Sequence, residues 1–245
     1  MPRFFVPSEN FEDNAVRITG EDAFHIARAL RMAVGNDITV CDMHGSEYSC
    51  RITRIRDDAC ECEILEKSEG KTESPVFISL YMAYPKGDKL EVVTQKAVEL
   101  GASEIIPFES SRCVKKPKPE KAEREHARLS KIAEEAAKQC GRSRLVKILP
   151  SLSYSEMLKA TKNSDLTLFC YEGDGARSLK EILSSVGNNV KTIAVVVGSE
   201  GGFSLSEAEA AREAGAVITN LGPRILRCET APSYVLSAIS YYFEL

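Results

Sequence analysis

Apolar and polar positions change rhythm once along this chain, near residue 70. Before that point short runs of strand length, RFFV, AVRIT, DITVCD, EYSCRITRI and ACECEILE, are separated in places by the turn signals Gly35-Asn36, His44-Gly45 and Asp57-Asp58. One helix is expected among them, EDAFHIARALRM, with acidic residues in its first turn and Phe24, Ala27 and Leu30 at helical spacing. This pattern predicts a small β-barrel over residues 1–70. The polar stretch SEGKTESP at 68–75, ending in proline, reads as a linker.

After the linker, strands and helices alternate. The strand candidates are VFISLYMAY, SEIIPF, LVKILP, DLTLFCY, TIAVVV and AVITNLG. Between them lie the helices DKLEVVTQKAVELG, EKAEREHARLSKIAEEAAKQCG, SYSEMLKATK, RSLKEILSSVG and SLSEAEAAREAG, with TAPSYVLSAISYYF last. Near-continuous apolar strands in this alternation predict an α/β domain at 71–245, built on a parallel sheet covered on both faces. Gly101, Gly187 and Gly215 fall where helices should end, and Ser204 with Glu207 makes a capping box. Thr230 is placed to cap the last helix, with Val235, Ala238, Ile239 and Tyr242 as its buried stripe.

Composition narrows the class. Apolar content of 43% and charged content of 28% are ordinary for a globular protein. No apolar run approaches a membrane-spanning length, and the start shows no signal-peptide pattern, so a cytoplasmic location without membrane attachment is expected. The eight cysteines form no CxxC pair and lie mostly in apolar runs. They read as reduced core residues, not as a disulfide framework or a zinc site, and no metal is expected. Net charge is −4, yet from Arg112 to Lys147 twelve lysines and arginines stand against five glutamates, a local +7 that leaves −11 on the rest.

The candidate chemistry lies in two segments, GSEGGFS at 198–204 and LGPRILRCET at 221–230, each at the passage from a buried strand to a helix. Open parallel sheets place their ligand crevice there. GSEGGFS lacks the spacing of a dinucleotide fingerprint, and no GxxxxGK phosphate loop is present, so neither a pyrophosphate nor a triphosphate is the expected ligand. A glycine-rich turn with few cations suits a ligand carrying an adenosine and a positive centre, although Gly-Gly turns before helices are also common connectors.

With these segments in view, the chain resembles the small-subunit ribosomal RNA uridine-N3 methyltransferases of the SPOUT superfamily. The resemblance extends to YPKGDKLEVVTQKAVELGASEIIPF at 84–108, EEAAKQCGRS at 134–143 and HIARALRMAVGN at 25–36, in the same order and over nearly the whole chain. The sequence departs from the usual motif at Ser199, where proline is common, and at Cys228, where threonine is common.

The resemblance implies S-adenosylmethionine as methyl donor, a C-terminal trefoil knot, a homodimer and an N-terminal PUA-like barrel that helps bind RNA. Carried over by position, the donor pocket comprises Phe169, Cys170, Tyr171, Gly198, Glu200, Gly201, Gly202, Leu221, Gly222, Ile225, Leu226 and Arg227. The implied substrate is 16S ribosomal RNA, free or in the assembled small subunit.

Uracil N3 is a poor nucleophile until it loses its proton, so the site must accept that proton or stabilise the imide anion. Arg227 is the candidate for stabilisation and Glu229 or Glu200 for the base, although each glutamate could equally serve a helix start. For substrate grip the basic window offers Arg112, Lys115, Lys116 and Lys118 before a helix carrying Arg124, Arg128 and Lys131 at helical spacing. Lys86, Gln139 and Arg142 are expected nearer the base. Arg28, Arg31, Arg51, Arg54 and Arg56 form a possible first-domain patch. Solvated charge is the competing reading of all these cations. An enzyme of the same superfamily acting on another RNA position, or an RNA-binding protein without catalysis, would share these features.

Overall fold

The computed structural model describes residues 1–56, 58–116 and 119–245; Asp57 of the expected turn and Lys118 lie outside the described residues. The chain forms two compact units, residues 1–73 with 137–145, and residues 74–136 with 146–245.

The first unit is a mixed sheet of six strands: β1 Arg3–Phe5, β2 Phe11–Glu12, β3 Ala15–Thr19, β4 Asp37–Cys41, β5 Ser46–Ile55 and β6 Ala59–Glu69. Their spatial order is β1-β4-β5-β6-β3-β2, antiparallel except for the parallel pair β1–β4. Alternate residues of β3 to β6 point inward, and together with Phe4, Val6 and Ile26 they close one core of Val16, Ile18, Ile38, Val40, Cys50, Ile52, Cys60 and Cys62. The helix between β3 and β4 is shorter than its sequence suggests. Regular α-helix, α1, spans Gly20–Phe24 and passes into a π turn at His25–Ala29. Ala23 and Ile26 are its buried residues, whereas Phe24 and Leu30 face solvent. The buried face carries Ala23 and Ile26, one position before the expected row of Phe24, Ala27 and Leu30, and the π turn breaks the 3.6-residue register beyond Phe24.

Residues 137–145 belong to this unit. Arg142 is buried with its guanidinium on Glu73 (Nη2 to Oε2, 2.6 Å), and Lys138 donates to Asp22 at 2.8 Å. Gln139 lies beside them and is exposed. Of the arginines expected to form a patch, Arg51 is paired with Asp37 at 2.8 Å.

The second unit contains eight parallel strands: β7 Phe77–Ala83, β8 Glu104–Glu109, β9 Lys147–Ile148, β10 Leu152–Ser153, β11 Leu166–Cys170, β12 Arg177–Ser178, β13 Thr192–Val197 and β14 Val217–Asn220. They run in the order β10-β8-β7-β13-β11-β14-β12, with β9 also paired to β8. Ile78–Ala83 and Ile193–Val197 are buried without alternation, as strands covered on both faces must be. The helices are α2 Lys89–Glu99, α3 Pro119–Cys140, α4 Tyr154–Thr161, α5 Leu179–Val186, α6 Leu205–Glu213 and α7 Thr230–Phe243. Gly101 and Gly215 take positive φ just past α2 and α6, and Gly187 does so at the C-cap of α5. The Ser204–Glu207 capping box is formed, as are boxes at Ser153–Glu156 and Ser178–Glu181. Thr230, expected as a cap, is the first helical residue of α7, and the cap position falls to Glu229. In α7, Val235, Leu236 and Ile239 are buried, while Tyr242 turns outward.

Candidate active site

A cleft of about 480 Å3 opens where β11, β13 and β14 end, within the size range of small-molecule sites. Its walls come from the carboxyl ends of these strands and the loops that follow, with Lys89 of α2 and Arg112 at the rim. β11 pairs with β13 and β14 in matched register, Phe169 opposite both Val196 and Ile218, so the three strands deliver their loops at one level.

The first loop is a tight turn. The Gly202 N–H donates to the Ser199 carbonyl at 2.9 Å, and Gly202 takes φ +62°, which glycine adopts without a side-chain clash. Gly201 packs on the segment before α3: a Cβ there would lie 2.9 Å from Arg112 Cβ and 3.0 Å from its carbonyl oxygen. The Arg112 guanidinium returns to donate to the Gly201 carbonyl at 3.1 Å. Phe203 then turns inward onto Phe169, ring centroids 4.3 Å apart, and Ser204 starts α6. The second loop leaves β14 through Gly222, whose N–H donates to the Asn220 side chain at 3.2 Å. It exposes Ile225 and Arg227, buries Cys228, and enters α7 through N–H bonds from Thr230 and Ala231 to the Arg227 carbonyl.

The sequence-derived donor set is thus largely brought together. Cys170, Tyr171, Gly198, Glu200, Gly202, Leu221, Ile225, Leu226 and Arg227 all line the cleft. Three members do not: Phe169 is fully buried beneath Phe203, Gly201 faces Arg112, and Gly222 lines a neighbouring hollow with Asp174 and Arg224. Only Gly201 lies in the glycine turn, where its close packing on Arg112 keeps it off the cleft, whereas Phe169 belongs to the body of β11 and Gly222 to the start of the other loop.

The charges are paired in a way the sequence did not reveal. Lys89 Nζ lies 3.0 Å from Glu200 Oε1 and 3.1 Å from Glu229 Oε2, and the Lys86 N–H donates to both Glu200 oxygens at 3.1 and 3.3 Å. Burial opposes ionisation of Glu200, but bonds from its own N–H, from Lys89 and from the Lys86 N–H outweigh it and hold the carboxyl below the usual range. Glu229 is held low first by its own backbone N–H, and burial is again outweighed by the Cys228 thiol and Lys89. Both groups are therefore weak bases. Burial pushes the Cys228 thiol up to about 12, as it does Cys170, so neither is a thiolate nucleophile at neutral pH.

Of the cations expected to grip substrate, Arg112 lines the cleft and Lys86 is exposed beside it, holding Glu200 through its backbone. Lys115 pairs with Glu125 and lies over the Tyr84 ring. Lys116 and Arg124 are exposed in the same unit. Arg142 is a correction: its buried pairing with Glu73 makes it part of the first unit's interior, not a surface contact.

Sequence reasoning missed Lys89, Glu172, Ser199, Phe203 and Thr219 among the lining residues. For Lys89 a signal existed. A cation in the first turn of a helix opposes the helix dipole and has to be held there by something else.

Comparison with known proteins agrees with this architecture. Residues 72–240 match a family model described as an RNA methyltransferase domain, and residues 18–65 match an RNA methyltransferase PUA domain. The Bacillus subtilis ribosomal RNA small subunit methyltransferase E is 35% identical, aligned over all of this chain and 98% of its own length. The chain belongs to the ribosomal RNA small subunit methyltransferase E family. A solved family member from Neisseria gonorrhoeae, bound to S-adenosyl methionine, superposes with a TM-score of 0.86 at 31% identity, covering 99% of this chain and 98% of that one. A Legionella pneumophila methyltransferase solved with its cofactor SAM gives 0.86 at 27% identity, with 98% and 96% covered. The PUA match falls within the first unit, and the methyltransferase match runs over most of the second together with residues 72–73 and 137–145 of the first, in keeping with a SPOUT methyltransferase fold.

Proposed function

We propose that this protein transfers a methyl group from S-adenosylmethionine to N3 of a uridine in 16S ribosomal RNA. The observation that carries the reading is the cleft at the ends of β11, β13 and β14, where a glycine turn and an arginine-bearing loop meet. Its residues fit the donor: backbone amides and carbonyls of 198–202 and 221–226 suit an adenosine, and carboxylates of Glu172, Glu200 and Glu229 stand near for a positive centre. When bound, the donor supplies an electrophilic methyl group.

The chain's own residues have to bring uracil N3 to reactivity. Arg227, exposed on the cleft, is placed to stabilise the negative charge that spreads over the uracil oxygens once N3 is deprotonated. Glu200 and Glu229, both bound to Lys89, are poorly suited to accept the proton, so it leaves N3 to solvent water. Arg227 lowers the cost of the anion that then takes the methyl group, with S-adenosylhomocysteine as the leaving group. Because N3 lies on the pairing edge of the base, the target uridine is read unpaired or flipped out.

In this reading residues 1–70 serve as the PUA-like RNA-binding domain and 71–245 as the methyltransferase domain, with the knot threaded through the two cleft loops. Exposed Tyr234 and Tyr241 of α7, and Val92 of α2 against which α7 packs, support a homodimer. A 16S RNA substrate supports a cytoplasmic location.

Purified protein with labelled donor is expected to methylate small-subunit RNA, naked or assembled, and mapping the product should locate the mark on uridine N3. Transfer to neither substrate would overturn the proposal, and a mark elsewhere would reassign the base. Arg227→Ala is expected to lower kcat roughly 100-fold or more, the scale of losing one charge-stabilising donor, with the unfolding midpoint unchanged. Unaltered turnover would remove Arg227 from the mechanism.

A further inference from the structure

Lys89 is the first residue of α2, where the helix dipole favours an anion and disfavours a cation. Its ammonium is nevertheless fixed by two carboxylates, Glu200 at 3.0 Å and Glu229 at 3.1 Å, with Cys228 Sγ at 3.9 Å. Glu200 is the middle of the glycine turn after β13, and Glu229 is the last residue of the loop before α7. The two loops are separate stretches of chain, and both line the cleft. One ammonium therefore joins a carboxylate from each wall.

We infer that Lys89 is a positioning residue that fixes the glycine turn 198–202 and the loop 221–229 at one separation, so that the donor cleft is assembled before donor binds. The inference rests on the reading of this cleft as the donor site. Without the ammonium, two carboxylates drawn to the same point would face each other, and like-charge repulsion would part the loops. The donor would then have to close the cleft itself, and that ordering cost would appear as lost affinity. The Lys86 N–H adds a second tether on the Glu200 side only, so the Glu229 loop depends more on the lysine.

The test is donor affinity by titration calorimetry with S-adenosylmethionine, on wild type, Lys89→Met, Lys89→Arg, Glu229→Gln and the double variant Lys89→Met with Glu229→Gln, alongside thermal melts. Lys89→Met keeps the stem and is expected to raise Kd about tenfold, within the usual range of coupling between sites. Lys89→Arg, which can span two carboxylates, should recover most of the loss. Glu229→Gln, which preserves the Lys89–Glu200 pair and serves if Lys89→Met fails to fold, should weaken binding several-fold. The double variant should lose no more than Lys89→Met alone, because both changes break one linkage. Wild type without donor affinity would overturn the donor-site reading and this inference with it. Wild-type binding with unchanged affinity in the variants, or losses that multiply in the double variant, would overturn the positioning role alone.

Discussion

At the scale of single residues, charge type says little about where a side chain ends up. Arg142 sits in the basic window and reads as a substrate contact, yet the residue is only 5% exposed and its guanidinium is bonded to Glu73. The Glu73 carboxylate also accepts from the backbone N–H groups of Ser143 at 2.9 Å and Arg144 at 3.1 Å. Burial alone would make Glu73 harder to ionise, but Arg142 and these amides reverse the balance and hold it below the ordinary glutamate range. Arg142→Ala would leave that carboxylate buried without its counter-ion, a loss of about 3 kcal/mol on the scale of broken buried pairs. Urea denaturation measures it, and stability within about 0.5 kcal/mol of wild type, the range of ordinary surface changes, would show that the pair is dispensable. The glycine turn was legible because its composition follows a buried strand, whereas the Glu73–Arg142 pair joins positions far apart in sequence that no local pattern connects.

Elements were more legible than residues, because periodicity and capping act locally. TIAVVV and TAPSYVLSAISYYF coincide with β13 and α7. Of the two-residue strands, β9 lies within the expected run LVKILP, whereas β2, β10 and β12 are missed, since so short a run carries no period. Glu207 marks the limit. Its capping box with Ser204 is visible in sequence, but its second task is not: the carboxylate also accepts from the Ser111 N–H at 2.7 Å and the Ser111 hydroxyl at 2.8 Å, tying α6 to the segment that carries Arg112. Burial raises its affinity for a proton, yet the Ser111 and Ser204 donors prevail and the carboxyl is held below its usual value of 4.5. The folded value lies below the unfolded one, so the contribution to stability is complete above about 4.5 and disappears as pH falls through the folded value. Glu207→Gln should therefore cost about 1.5–3 kcal/mol at pH 7, as for bonds to a charged group. Melts at descending pH should bring variant and wild type together below the folded value; a constant gap down to acid would assign the loss to packing.

For the molecule as a whole, net charge of −4 conceals the feature that matters. The +7 window was legible, but its partition was not: α3 runs without interruption through Cys140, so its period gives no sign that residues 137–145 belong to the first unit. Ion pairs also take up part of the positive charge, Lys115 with Glu125, Arg128 with Glu91, Lys138 with Asp22 and Arg142 with Glu73. Lys116, Lys121 and Arg124 are exposed at and just before the start of that helix, and they are the residues best placed to meet phosphates. Each phosphate neutralised contributes about −0.7 to −0.9 to the slope of log affinity against log salt, so replacing all three by alanine should flatten the slope by about 2 to 3. Arg128→Ala should change it less, because the guanidinium is already held by Glu91 at 2.6 and 2.7 Å. Fluorescence anisotropy of labelled small-subunit RNA across a salt series would read both. An unchanged slope in the triple variant would move the RNA path off α3, since no rearrangement of solvated lysines can remove three phosphate contacts and leave counterion release the same.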